Sequence, residues 1–484
     1  MKTVLNHNVP FEKYFEEISA IPRGSRNEKA IADYLVAFAQ THGLWVWRDA
    51  LHNVIIKKDG IGAGRNQEPL ILQAHTDMVC VKLPGIQHDF EEDPIDLILE
   101  SNIVRANGTT LGADDGTGVA TILGLLAETD LEHPPLEAVF TVQEEVGMFG
   151  AQALDYSKLR ARRMISMDSG GESESSVNAA GCETISMHRV FSAQRVFGDT
   201  ITITITGLKG GHSGACIDLE RSNAMKVMAN LLQYLRNSKI PFRMSELQAG
   251  RVANAIPDGC TAVIMTEHTE EALELIAKHT LELKKTVSET EPGLTVTASS
   301  TGNTCRVLNE EDSALLLNFL SVLPAGRMHK SMTISDFVTV SANPAVVSLK
   351  NGRVDLTVSC RAATEFQLDE IEMQILACGS VCGMNTQIED RTPCWEYMKE
   401  SQLRTLAAKL MMDEWDVPLR VSFEHGGLEC GYFAKNIPGI DIYVIGPIGR
   451  EVHSPYEWMD LNSCHRVYDF LKKYLTMLTQ THHS

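Results

Sequence analysis

Two imidazoles and several carboxylates fall just beyond short apolar runs in this 484-residue sequence, and together they offer ligand chemistry for a divalent cation. In Leu72-Gln73-Ala74-His75-Thr76-Asp77, residues 75 and 77 face the same way if the strand continues. Asp77 can then hydrogen-bond His75, fix its tautomer and raise its basicity, as carboxylate partners of zinc-bound His do. The bland alternative is a solvated Asp beside a strand-end His. Thr109–Gly118 (TTLGADDGTG) is a Gly-rich turn feeding a helix. It is no phosphate loop, because adjacent carboxylates repel phosphate and no Gly-Lys-Ser/Thr follows. Asp114 and Asp115 serve equally as helix caps or as a source of one carboxylate bridging two cations. In Gln143-Glu144-Glu145-Val146-Gly147, successive side chains on extended backbone point oppositely, so one Glu can ligate a metal while the other faces a substrate water. Met167-Asp168-Ser169 ends another run, and Gly446–Pro455 places His453 after a late one. Singly, each segment has a plain structural reading. Jointly, His75, Asp114, Glu145, Asp168 and His453 supply imidazole and carboxylate without thiolate, which suits a catalytic Zn²⁺ or Mn²⁺ site. If Asp114 bridges, each of two ions has three protein ligands and room for a shared water, a hydrolytic device.

The elements that must position these groups alternate. Apolar runs at 53–56, 69–74, 136–142 and 164–167 are strand-length, and most lack polar alternation, as strands covered on both faces do. The segment 116–126 between two of them carries Val119, Ile122 and Leu126 at helical spacing, and Ser25…Glu28 reads as a capping box for a helix that stops at Gly43. This predicts an α/β layered domain with a central mixed, mainly parallel sheet, whose ligand sites form beyond the carboxyl ends of the strands. Past 169–176 the pattern changes. Thr200–Ile205 alternates Thr and Ile, helices are expected at 223–235 and 270–287, and a similar order recurs with helices at 310–323 and 368–378. The expectation is one catalytic-type domain, 1–180 plus 394–484, interrupted by an inserted α+β domain of two similar halves, 181–393.

Composition narrows the function classes. With 43 Lys+Arg against 63 Asp+Glu the net charge is −20, which disfavours nucleic-acid or anionic-membrane partners. No run approaches the roughly 20 apolar residues of a spanning helix, and the first residues turn polar too early for a signal-peptide core. Eleven scattered cysteines, odd in number and without a C-x-x-C pair, read as reduced thiols, so a cytoplasmic location is expected and a cysteine-held zinc is not. No Gly-x-Ser-x-Gly elbow occurs, and Cys430 has no evident His partner, which disfavours a nucleophilic hydrolase.

The set HTDMV, TTLGADDGTG, TVQEEVG, SMDS and GPIGREVHSPYE resembles the co-catalytic zinc peptidase family of aminoacylases, tripeptidases and carboxypeptidase-G-type enzymes. Over the whole chain, including HGGLECGYF, the likeness is to members that hydrolyse dipeptides, among them dipeptides ending in His. The resemblance implies two Zn²⁺ per chain, with Mn²⁺ or Co²⁺ as substitutes, bridged by Asp114. One ion adds His75 and Asp168, the other Glu145 and His453. It implies Glu144 as general base, Asp77 as the group orienting His75, and a cis peptide between Asp114 and Asp115. The insertion would be the family's lid. There His212 would stabilise the oxyanion, Asn254 would approach the scissile carbonyl, and Arg361 would hold the substrate carboxylate. Small peptide substrates and a homodimer complete what the resemblance implies.

Overall fold

The structure is a computed structural model that describes residues 3–480. Its chain divides into two compact units. The first comprises Met1–Asn178, Glu396–Phe423 and Leu428–Ser484; the second, Ala179–Trp395 and Glu424–Gly427.

The first unit is built on a six-stranded sheet. Its strands are β1 (Trp45–Arg48), β2 (Val54–Lys58), β3 (Leu70–His75), β4 (Leu136–Thr141), β5 (Arg163–Ser166) and β6 (Asp441–Val444), in the order β1-β2-β4-β3-β5-β6. Strands β4, β3, β5 and β6 run parallel, while β2 pairs antiparallel with both β1 and β4. The sheet is mixed and mainly parallel, as the non-alternating apolar runs imply. Every residue of β3 and β4 is buried, which is why neither run shows polar alternation. Phe11, Phe15 and Ile18 of the helix Pro10–Ser19, Val119, Ile122 and Leu126 of Ala113–Ala127, and Tyr474 and Leu475 of Leu461–Gln480 share one core with β2, β3 and β4. Four parallel strands therefore end side by side, and the loops that follow them carry the candidate ligands.

One local expectation is corrected. The helix Lys29–Thr41 has no side-chain cap: Ser25 donates instead to Asp77, and Glu28 accepts from the Arg26 and Gln143 backbone N–H groups. The capping-box pattern is present in sequence, but both residues are drawn to longer-range partners.

The second unit is a nine-stranded sheet in which every strand pairing is antiparallel. Strands 193–206, 243–249, 260–265 and 295–308 and helices Ala224–Asn237 and Thr269–Thr286 form one half. Strands 181–190, 326–330, 338–350, 353–362 and 385–392 and helices Glu310–Val322 and Glu365–Val381 form the other. The halves join where Leu247, Gln248 and Ala249 pair with Leu349, Ser348 and Val347.

Glu183 is fully buried in this unit, beside Glu372 and 3.9 Å from Arg391. Burial first, and the Glu372 charge second, push its carboxyl up to about 7. A folded pKa above the unfolded value of about 4.3 favours the protonated folded state, so this stability is complete below about pH 4.3 and lost as pH rises through 7. The variant E183Q keeps a neutral side chain at every pH. Its stability relative to wild type is expected to be near zero at pH 4.5 and positive at pH 8, by roughly 1–3 kcal/mol. Thermal unfolding at the two pH values measures it; a difference that does not change with pH contradicts the assignment.

Candidate metal centre

Four of the five candidate ligands lie at or just beyond the carboxyl ends of the adjacent strands β4, β3, β5 and β6. His75 is the last residue of β3, and Asp168 follows β5. Glu145 follows β4 after Gln143, whose φ of +54° turns the chain, and His453 follows β6. Asp114 comes from the start of the helix Ala113–Ala127. His75 Nε2 lies 3.1 Å from Asp114 Oδ1, and His453 Nε2 lies 3.3 Å from Asp114 Oδ2 and 2.9 Å from Glu145 Oε1. The ligand atoms of His75, Asp114 and Asp168 all lie within 4.8 Å of one another, as do those of Asp114, Glu145 and His453. Asp114 belongs to both groups. A third group within the same limit is His75, Glu144 and Glu145.

The two adjacent aspartates divide the work that sequence leaves open. Asp115 is buried and caps the helix, accepting from Gly118 N at 3.1 Å, while Asp114 faces the cluster. The peptide bond between them is cis. Asp77 is fully buried, but its carboxylate does more than face His75. The Asp77 Oδ1–His75 Nδ1 separation is 3.6 Å, and the nearer acceptor for that nitrogen is the Asp77 carbonyl, at 3.2 Å. The Asp77 carboxylate accepts instead from the backbone N–H of Glu144 (3.0 Å), that of Glu145 (3.3 Å) and the Ser25 hydroxyl (2.7 Å). It thereby fixes the turn that presents both glutamates.

The electrostatics are those of acids crowded around two bases. Burial, then the Asp114 charge, pushes the Asp168 carboxyl up to about 7, and burial with neighbouring carboxylates also raises Glu144. Asp114 and Glu145 push the His453 imidazole up to about 10. Burial pulls His75 down, but Asp114 and Asp77 outweigh it and the net shift is upward. Oxygen and imidazole donors, three to a group and sharing one carboxylate, fit two divalent cations of the zinc or manganese type. The ions would take over the charge compensation that protons otherwise supply.

The remaining candidates lie in the second unit. His212 pairs with Ala255 in a short ladder, and its Nδ1 accepts from the N–H groups of Gly214 (3.2 Å) and Ala215 (3.1 Å). That leaves Nε2 as the N–H donor. Burial and the Arg361 charge lower its pKa, which favours the neutral ring. Asn254 is exposed, and its carbonyl accepts from Ser213 N. Arg361 is 7% exposed; among the described residues no carboxylate lies within ion-pair distance, and its Nε has no hydrogen-bond partner. A buried guanidinium without an anion is costly, which keeps Arg361 a candidate for binding an anionic group. Facing it across the strand pair is Ser341, whose hydroxyl lies 2.7 Å from His425 Nε2. Burial and Arg361 pull the His425 imidazole down to about 3, so it stays neutral.

Periodicity and spacing single out none of His425, Arg23, Glu429 and Glu457, although three of them fall inside HGGLECGYF and GPIGREVHSPYE; Arg23, Glu429 and Glu457 are buried beside the candidate ligands, and His425 is half-buried beside Arg361. Glu429 accepts from Gln73 (2.7 Å) and Thr141 (2.6 Å), on the two central strands, and burial pushes its carboxyl up to about 8.

The model of peptidase family M20/M25/M40 matches residues 71–477. The chain belongs to this family, whose members are metallopeptidases. Over 475 residues it is 30% identical to the cytosol non-specific dipeptidase of Escherichia coli K12, covering 97% of this chain and 96% of that protein. Its structure is similar to the crystal structure of aminoacylhistidine dipeptidase from Vibrio alginolyticus, with a TM-score of 0.91 and 28% identity, covering 100% of this chain and 98% of that one. A tripeptidase from Staphylococcus aureus shares the fold, with a TM-score of 0.58 at 15% identity over 99% of this chain and 100% of that one. Among the described residues no helix is long and apolar enough to cross a membrane.

Proposed function

We propose that this chain is a dinuclear zinc dipeptidase that hydrolyses short peptides with a free α-amine, including dipeptides ending in His. The observation that carries this reading is the sharing of Asp114 between two ligand groups, with the Glu144 carboxyl beside them. The likeness to two dipeptidases over nearly the whole chain supports it. Zn²⁺ ions held by His75, Asp168 and Asp114 and by Glu145, His453 and Asp114 would acidify a shared water and polarise the scissile carbonyl. Glu144 takes the proton of the attacking water and returns it to the leaving amine. Its carboxyl is raised above the usual carboxylate range by desolvation and neighbouring acids, which favours proton uptake by a general base. Asp77 holds the Glu144 backbone in place. His212 would donate Nε2–H to the oxyanion, Asn254 would approach the scissile carbonyl, and Arg361 would receive the substrate carboxylate.

The testing experiment is turnover by the zinc-loaded protein on Xaa-His dipeptides, other dipeptides, tripeptides and N-acetyl amino acids. Dipeptides are expected to give the highest kcat/KM. Best turnover on N-acetyl substrates or tripeptides would move the assignment to a deacylase or tripeptidase of the same family.

Arg361 gives a separate prediction. Its truncation in R361A removes a charged hydrogen-bonding partner worth about 1.5–3 kcal/mol, so KM is expected to rise roughly 10- to 100-fold with a smaller change in kcat. Peptides amidated at the C-terminus should lose affinity for the wild type and be nearly indifferent to the variant. An unchanged KM for free-acid dipeptides removes Arg361 from the site.

A further inference from the structure

Arg23 and Glu457 are both buried, 2% and 3% exposed, and no carboxylate lies within ion-pair distance of Arg23 among the described residues. They meet through a glycine. The Arg23 guanidinium donates to the Gly112 carbonyl at 2.5 Å, and its other terminal nitrogen donates to the carbonyls of Thr76 (3.1 Å) and Asp77 (3.4 Å). The Glu457 carboxylate accepts from four consecutive backbone N–H groups: Leu111 (2.7 Å), Gly112 (2.9 Å), Ala113 (2.8 Å) and Asp114 (3.4 Å). Gly112 is thus gripped by its carbonyl from one side and its N–H from the other. Its φ of +69° suits glycine, and a Cβ there would fall 2.5 Å from Arg23 Nη2 and 2.7 Å from Met78 Sδ.

The grip joins three pieces of the candidate centre. Arg23 ties the turn after His75 to the turn before Asp114. Glu457 ties that same turn to the loop carrying His453. A helix start needs neither ion, since one short polar side chain caps as well without desolvating a charge. Asp115 already caps this helix through Gly118 N–H. Two buried ions at one glycine make sense where a side chain beside it must be held to a fraction of an ångström, as a shared metal ligand must.

We propose that Arg23 and Glu457 are paired positioning residues that hold Asp114 in register with His75 and His453, so that one carboxylate reaches both ligand groups. This rests on the reading of the site as a two-metal centre. The test compares metal-free wild type, E457Q, R23K and E137Q by Zn²⁺ titration against a competing chelator, by Co²⁺ absorption and by thermal unfolding. E457Q keeps shape but turns an amide N–H₂ toward backbone donors; R23K keeps charge but cannot reach three carbonyls. Glu137 is the control, a buried carboxylate that accepts from the N–H groups of Arg160 and Ala161 at the start of β4, away from the ligands. We expect E457Q and R23K to bind Zn²⁺ about 10- to 100-fold more weakly with an altered Co²⁺ spectrum, and E137Q to lose stability with metal affinity unchanged. Wild-type Zn²⁺ affinity in both E457Q and R23K, with only a lower Tm, overturns the proposal. If E457Q does not fold, R23K against E137Q decides. A wild type that itself takes up no Zn²⁺ sinks the metal-centre reading, and the positioning role with it.

Discussion

Changing Glu144 to Gln is expected to lower kcat by roughly 10²- to 10⁴-fold while two zinc ions per chain remain bound. The structure makes this a sharp test, because Glu144 also lies within 4.8 Å of His75 and Glu145 as a possible ligand set of its own. A ligand and a base respond differently to the substitution. An amide at position 144 cannot take a proton, but the main-chain hydrogen bond from Glu144 N to Asp77 survives, so the turn and Glu145 stay in place. A base therefore loses turnover and keeps metal; a ligand loses metal first. Elemental analysis of the purified variant, with kcat and KM measured on the same sample, separates the two. Near-wild-type kcat would remove Glu144 as the base, and a metal content halved in proportion to activity would make it a ligand.

Asp114→Asn is expected to have the second large effect, the loss of both metals rather than one. Each ligand group holds three residues, and Asp114 is the member common to both. An amide offers a single oxygen and no charge, so each ion is left with two strong ligands. Metal-free D114N should remain folded, since the substitution removes one acid from a crowded set and leaves the Glu457 contacts to backbone N–H groups intact. Zinc should raise the Tm of the wild type through preferential binding to the folded state and leave that of D114N nearly unchanged. Retention of one tightly held zinc in D114N would show two independent sites in place of a bridged pair. Stoichiometric titration measures this directly.

How much of this was legible in sequence depends on distance along the chain. His75, Glu144, Glu145 and Asp168 each follow an apolar run within a few residues, so strand periodicity exposes them. The same runs predict the buried parallel core, and β3 and β4 lie within or one residue beyond the segments that sequence marks. The Asp114–Asp115 pair shows where sequence stops: capping and bridging use the same residue type at a helix start, and only the three-dimensional partners assign them. Asp77 shows it differently. Spacing aims its carboxylate at His75, whereas the fold brings the Glu144 and Glu145 N–H groups to that carboxylate from the neighbouring strand end. Periodicity exposes none of Arg23, Glu457 and His425: the last two fall inside GPIGREVHSPYE and HGGLECGYF, but a lone Arg after Ile-Pro or a lone Glu after Pro-Tyr carries no period and no spacing. Their partners are distant in sequence, and burial, which makes them notable, is not a property of a local string.

The order in which the chain is made adds a consequence of the split first unit. His75, Asp114, Glu144, Glu145 and Asp168 precede the whole second unit, while His453 and Glu457 follow it. At a synthesis rate of about 5–20 residues per second, the early ligands leave the ribosome tens of seconds before the late ones. During that interval β6 and the helix Leu461–Gln480, which complete the sheet and the core of the first unit, are also missing, and so is Glu457, whose carboxylate holds the backbone before Asp114. The edge of β5 waits for its partner until the last segment emerges, and the proposed centre is completed only by the end of the chain.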